Sequence, residues 1–303
     1  MALENLFKPA AGARPMVACE IRSEGVVAAR SARKQEEMVL AFSALPEGAL
    51  APGLKVPNLA DAAVVRAAME SALGDLDVRG GPITLVVPDA AARVLLLDFD
   101  TLPAKRHEAL PVVRFRLRKM VPFDVEGSAV SYQVMTQKDD QLNVLVTVMP
   151  GDVLEEYESL VRDAGYEPGA VLPSTLAAAA SLAGDNATLM VNHTGASVTT
   201  AVTQGDEMLL HRSMDLPAEA RAREEEMAQA VNTALAWYED TLKGSPGTLY
   251  YAGPGGASAA AQSGWIALVD PAPRIVDLGV AAASMLTTIP PGIAAGVTGA
   301  LAS

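Results

Sequence analysis

MVACEIRSEGVVAARS at residues 16–31 and TLMVNHTGASVTTAVTQGDEMLLHRSM at residues 188–214 decide the fold, because the second stretch repeats the pattern of the first. In the first, an apolar run over 16–21 reads as a buried strand, Gly25 marks a turn, and 26–31 reads as its hairpin partner. A third strand fits 37–44. In the second, strands fit 188–192, 197–203 and 207–214, with turns at Thr194-Gly195 and Gly205-Asp206. Two three-strand openings in one chain point to a duplication.

Working outward, residues 45–57 form a Pro/Gly-rich connection, and Asn58 or Asp61 is placed to cap a helix over 62–73. Its Val65, Ala68, Met69 and Leu73 recur at helical spacing. Residues 83–87 make a short, wholly apolar strand closed by Pro88-Asp89, the pattern of a strand buried between helical layers, and 93–99 gives another. An amphipathic helix fits 105–120. Proline lacks the backbone N–H that a helix interior uses, so this helix is expected to start near Pro111. Strands over 129–136 and 143–150, turning at 138–141, lead into a helix over 151–164, a strand-strand-helix subdomain. Beyond the second opening come a long helix over 218–242, with Met227, Val231, Leu235 and Tyr238 on one face, and a strand over 248–252 that ends in Gly253-Pro254-Gly255-Gly256. A short strand over 266–269 and a closing helix complete the half. Strands giving way to helices in each half define an α/β protein.

Composition narrows the function. The chain has 303 residues, half of them apolar, enough for two modest domains. A net charge of −13 argues against nucleic acid, whose binding needs many Lys and Arg to displace counterions. Cys19 is the single cysteine and the three histidines are scattered, so no zinc-ligand spacing exists. His107, His193 and His211 have no nucleophile motif beside them, and Cys19, in an apolar strand, reads as a small hydrophobe. No run reaches the roughly 18 apolar residues of a membrane span. Residues 287–302, the longest candidate, are broken by Pro290 and Pro291 and read as a buried terminal element or a frayed tail. The opening residues 1–15 lack the features of a secretory signal, so a cytoplasmic location is expected. One segment departs from the acidic average: Lys105, Arg106, Arg114, Arg116, Arg118 and Lys119 face a single acid, Glu108. Such a run reads as a solvated helix face, or as one meeting an acidic partner or an anionic membrane.

The most telling segment is 110–132, where a helix runs into Met120-Val121-Pro122-Phe123 and then Ser131-Tyr132. Asp163-Ala164-Gly165-Tyr166 leading to Leu172-Pro173-Ser174, Leu235-Ala236-Trp237-Tyr238, and Arg212 in the third strand of the second half follow in order. Together these resemble the actin-like superfamily and, within it, the PilM family of type IV pilus assembly proteins, related to FtsA and to the cytoplasmic part of GspL. The resemblance implies duplicated ribonuclease-H-like halves with an inserted subdomain. It divides the chain into 1–90, the first part of domain I; 91–170, the insertion and return to domain I; and 171–303, domain II.

Actin-like proteins hold nucleotide phosphates and magnesium between two strand-turn-strand loops, each normally with an Asp and a Gly. By that resemblance Glu20, Ser23, Thr194, Gly195, Gly253, Gly255 and Gly256 are the nucleotide-binding candidates, with ATP and magnesium as cofactors. Both loops depart from the pattern, with Glu20 at the Asp position, Arg22 at the Gly position and Asn192 in place of the second Asp. Magnesium prefers carboxylate oxygens, so these changes argue against hydrolysis. The glycine loop is read equally as an adenosine contact or as a strand-to-helix turn. For partners the resemblance implies the N-terminal tail of a PilN-like inner-membrane protein, an assembly ATPase complex and self-association, without direct membrane insertion. Arg116, Pro122, Phe123 and Tyr132 are the candidate contacts, Phe123 being equally readable as core. The expectation is a cytoplasmic scaffold, peripheral to the inner membrane through its partners and not itself an enzyme. An ATPase or small-molecule kinase of the same fold is the alternative. An FtsA-like filament protein is disfavoured because residues 278–303 hold no Lys or Arg for a membrane helix.

Overall fold

In the computed structural model, which describes residues 15–31, 38–138, 141–182, 184–278 and 283–302, both openings fold as antiparallel meanders and each seeds a sheet. The first joins β1 (Val17–Arg22), β2 (Gly25–Arg30) and β3 (Met38–Ala44), and β4 (Pro82–Val87) then pairs in parallel with β1. The third sheet comes from β5 (Arg93–Phe99), β6 (Ser128–Lys138) and β7 (Gln141–Pro150), and β8 (Glu167–Pro173) returns to pair with β4. The second half uses β9 (Thr188–His193), β10 (Ser197–Gln204), β11 (Glu207–Asp215), β12 (Thr248–Ala252) and β13 (Arg274–Asp277). Its order, β11-β10-β9-β12-β13, repeats the β3-β2-β1-β4-β8 order of the first. The duplication is therefore one of topology.

β1 is buried throughout, and apolar apart from Glu20 and Arg22, because both faces of its sheet are covered. Val17, Cys19 and Ile21 pack against Val65 and Met69 of α1 (Ala62–Asp75) and against Tyr157 and Val161 of α3 (Gly151–Asp163). Ala18, with Val27 and Val86, faces the opposite way, toward Ala177 of α4 (Ser174–Ala179) and Val297 of α7 (Ala295–Ala302). Asp61 caps α1, its carboxylate accepting from the Val64 N–H. Buried Asn58 organises the loop before it, accepting from the Gly53 N–H and donating to the Lys55 carbonyl. In the second half, Met227, Val231 and Tyr238 of α5 (Ala220–Leu242) cover one sheet face, Leu235 packs at the edge of that core, and the short α6 (Gly256–Gln262) follows the glycine loop.

Four sequence expectations change. The inserted unit is built from β5, α2 (Arg106–Leu117), β6 and β7, whereas α3 packs into the first core and is not part of it. α2 starts at Arg106 and contains Pro111. Proline there forgoes a single bond to the His107 carbonyl, and burial of Ala109, Val113 and Leu117 holds the helix together around it. Residues 264–268 wind as a 3-10 turn rather than a strand, which buries Trp265 against Tyr251 at a centroid separation of 6.4 Å; the strand is β13. Last, β14 (Ala283–Met285) pairs with β3 and α7 packs on β1 and α4, so residues 283–302 complete the first half and not the second. The sharp closeness of α7 depends on Gly296 and Gly299, which lie against Glu20 and the Ala177 carbonyl.

Residues 1–14, with most of the opening segment, lie outside the described residues, as do Glu37 of the third predicted strand, Asp139 and Asp140 of the 138–141 turn, and parts of the 278–303 tail. No helix among the described residues is long and apolar enough to cross a membrane.

Candidate functional site

The two loops that hold phosphates in actin-like folds meet where the halves join, at the ends of β1 and β9. Arg22, at the last position of β1, is only 1% exposed, and burial of a guanidinium demands partners. It has three: Nη1 donates to Glu20 Oε1 at 3.0 Å, Nε to Glu24 Oε2 at 3.4 Å, and Nη2 crosses to the His193 carbonyl of the second half at 2.8 Å. Burial alone would lower the Arg22 pKa, but Glu20 and Glu24 outweigh it and keep the cation charged. Glu20, wholly buried, is pushed above the ordinary carboxylate range by burial, against the pull of Arg22 and of the Ser174 hydroxyl, which donates to it at 2.6 Å.

Behind this pair lies a second polar cluster around Asp89, which follows β4. Its carboxylate accepts from the Thr175 N–H at 2.9 Å, from the Thr175 hydroxyl, from the Thr199 hydroxyl at 2.9 Å and from the Asn192 amide at 3.3 Å. One donor, the Thr175 N–H, meets Oδ1 and the other three converge on Oδ2. The Asn192 amide nitrogen also lies 2.9 Å from the Ser174 hydroxyl oxygen and 3.0 Å from that of Thr175, so its two hydrogens are shared among three acceptors. An amide suits this position because it donates where an aspartate would set a second carboxylate against Asp89.

Of the sequence-read nucleotide candidates, Glu20, Ser23, Thr194 and Gly195 come together at the junction of the halves. Ser23 and Gly195 touch: a Cβ on Gly195, which adopts φ +65°, would stand 2.4 Å from the Ser23 hydroxyl oxygen. Thr194 is turned inward, its hydroxyl 2.8 Å from that of Ser197. His193 is neutral, its pKa lowered chiefly by burial; Nε2 donates to the Gly195 carbonyl and Nδ1 accepts from the Tyr251 hydroxyl, both at 3.2 Å. Burial pushes the Tyr251 pKa up to about 12.

The glycine loop lies against protein atoms. Gly253 donates to the Gly292 carbonyl at 2.7 Å and is flanked by Tyr251 and His193; Gly255, at φ +75°, is packed on Ala259; Gly256 abuts Asp277 and Pro291. The nucleotide candidates are thus in contact with protein atoms rather than facing one open cleft. The loops close on each other, a cation of the chain itself stands between them, and residues 291–292 cover the glycines.

The partner candidates are dispersed. Pro122 and Phe123 line a cavity of about 560 Å³ with Lys55, Arg93, Thr194 and Leu216. Phe123 also packs on the core beneath α2. Tyr132 packs on the same core, with the Arg106 guanidinium 5.7 Å from its ring centre, and Arg116 is exposed on α2. A second cavity, of about 210 Å³, lies between Ala129, Val130 and Ser131 of β6 and Gly169, Val171 and Pro173 of β8, with Leu154 and Glu158 of α3 at its side. Both strands are sheet edges, β6 of the third sheet and β8 of the first. Sequence reading missed Asp89 and this groove: Pro88-Asp89 was legible only as the end of a strand, and an edge is a property of the assembled sheet.

No protein-family profile matches the chain, and neither does any curated protein sequence. Solved structures do. A PilM-PilN type IV pilus biogenesis complex matches at TM-score 0.76 and 18% identity, over 96% of this chain and 98% of that one. The cytoplasmic domain of EpsL, an inner-membrane component of the type II secretion system of Vibrio cholerae, matches at 0.50 and 12%, over 94% and 92%. A Bacteroides thetaiotaomicron protein with an actin-like ATPase fold and unknown function matches at 0.50 and 8%, over 86% and 89%. The fold is thus actin-like, and the resemblance to PilM read from the sequence holds in three dimensions.

Proposed function

We propose that this chain is a cytoplasmic scaffold of a type IV pilus or type II secretion assembly machine, peripheral to the inner membrane, which binds the N-terminal tail of a PilN-like inner-membrane protein and needs no nucleotide to do so. The observation that carries this reading is the groove between β6 and β8. Two strand edges, each with unused backbone donors and acceptors, flank a small apolar-sided cavity, and an extended peptide can add to such an edge while its alternate side chains fill the pocket. The likeness to a PilM-PilN complex and to a cytoplasmic domain of a secretion component supports it. The contact between the two loops, with Arg22 bridging them, supports the nucleotide-independent part and disfavours the ATPase or kinase alternative, since phosphoryl transfer requires room for phosphates and magnesium between those loops. Contacts with an assembly ATPase and between copies of the chain belong to the same proposal.

The test is fluorescence anisotropy of labelled synthetic tails from inner-membrane proteins of the same assembly. Ser131 is exposed on the β6 edge, so Ser131→Trp fills the groove without disturbing the core and is expected to weaken tail binding by about tenfold or more. Magnesium ATP is expected neither to change the affinity nor to be hydrolysed. Unchanged binding by Ser131→Trp together with loss in Phe123→Ala would move the tail to the larger cavity and overturn the groove assignment. Hydrolysis of ATP would overturn the nucleotide-independent reading.

A further inference from the structure

We infer that the outer face of α2 is a docking surface for an anionic lipid bilayer. Ala109, Val113 and Leu117 bury one line of the helix. At about 100° per residue Phe115 falls opposite that line, and it is 67% exposed. Val112, at 39%, is exposed beside it. The winding continues past the helix end, with the Val121 N–H donating to the Leu117 carbonyl at 3.2 Å, so Lys119 stands one turn beyond Phe115. Cations therefore flank an outward-pointing aromatic.

Their pairing state decides what they can meet. Lys105 pairs with Glu108 and Arg118 with Glu126, both on the surface, while Arg114 is spent inside the fold on the Val125 and Ser128 carbonyls. Arg106 lies over Tyr132. Arg116 and Lys119 are exposed and have no ion pair among the described residues. These free cations sit on a chain of formal charge −13, so an anionic surface attracts this face and repels the acidic remainder.

An acidic protein would use the same charges, but the shape favours a bilayer. Phe115 stands on the outer face of a helix, 67% exposed, and lines neither of the cavities described above. A fluid interface accepts a protruding aromatic at headgroup depth and brings mobile anions to each cation without a matching contour. α2 also packs on the sheet whose β6 edge borders the peptide groove, so a membrane beneath α2 lies on the same subdomain as that groove. The inference itself stands on α2 alone, independent of the tail reading.

Co-sedimentation of the full chain with vesicles tests it. Binding is expected to phosphatidylcholine mixed with phosphatidylglycerol, not to phosphatidylcholine alone, and is expected to fall steeply as salt is added. The double variant Arg116→Glu/Lys119→Glu is expected to lose binding by about tenfold or more, and Phe115→Ser by severalfold. All three residues are exposed, so the variants should melt with the parent. A parent that stays in the supernatant with anionic vesicles at low salt overturns the inference and leaves the face to an acidic protein. Equal sedimentation of the charge-reversed variant, or equal binding to neutral vesicles, overturns it as well.

Discussion

Asn192 shows how much a single atom decides. Its amide nitrogen is a donor 3.3 Å from the Asp89 carboxylate and within reach of two hydroxyls, at the position where actin-like relatives carry an aspartate. Asn192→Asp keeps the shape but removes the donor, since the Ser174 and Thr175 hydroxyls already donate to Glu20 and Asp89, and it places two carboxylates together in a buried site that also holds Glu20. A loss of about 2–4 kcal/mol in urea unfolding is expected. An aspartate at this position alone should thus weaken the fold rather than create a metal site. At this scale the sequence was partly readable. Glu20, Arg22 and Asn192 stand in loops whose pattern marks them, and their departure from it was visible. Asp89 carried no such mark, because its partners Thr175 and Thr199 lie 86 and 110 positions away.

Among the elements, α7 illustrates what periodicity does and does not reveal. Its run of small apolar residues gives no amphipathic face, since nearly all of Ala295–Ala302 is buried. What seats it is the absence of a side chain at Gly296, where a Cβ would stand 2.4 Å from Glu20 Oε2. Gly296→Val should push α7 away from β1 at a cost of about 3 kcal/mol, seen as a lowered midpoint in thermal or urea unfolding. An unchanged midpoint would mean that the helix has room to shift. Strands buried on both faces were legible as short apolar runs, and α1 and α5 by their spacing. α2 begins earlier than its proline suggests because three buried apolar residues outweigh one lost bond, and the expected strand over 266–269 is instead part of a turn because an apolar run of that length reads alike as strand or as tight turn. β14 and α7 were assigned to the wrong half for another reason: nothing local records that the chain crosses back.

Taken whole, the molecule is two like-ordered halves joined through charge. Arg22, anchored by Glu20 in the first half, donates to a carbonyl of the second, and the inserted sheet packs across with Met135 and Leu145 against Met190, Ala201 and Met208. Halves so connected should unfold together. The chain offers a convenient check, since both tryptophans, Trp237 and Trp265, pack in the second half. Tryptophan emission follows that half while far-ultraviolet dichroism follows both, and the two urea transitions are expected to coincide in the parent. Separate midpoints would show that the contact between halves is energetically slight. Crossing back of α7 has one more effect, which concerns time and not stability. A ribosome delivers the second half whole before residues 295–302 emerge, so the half begun first is finished last. Until then the nascent chain carries β1 and β2 with one face covered by α4 but not by α7, an incomplete surface for chaperones to guard.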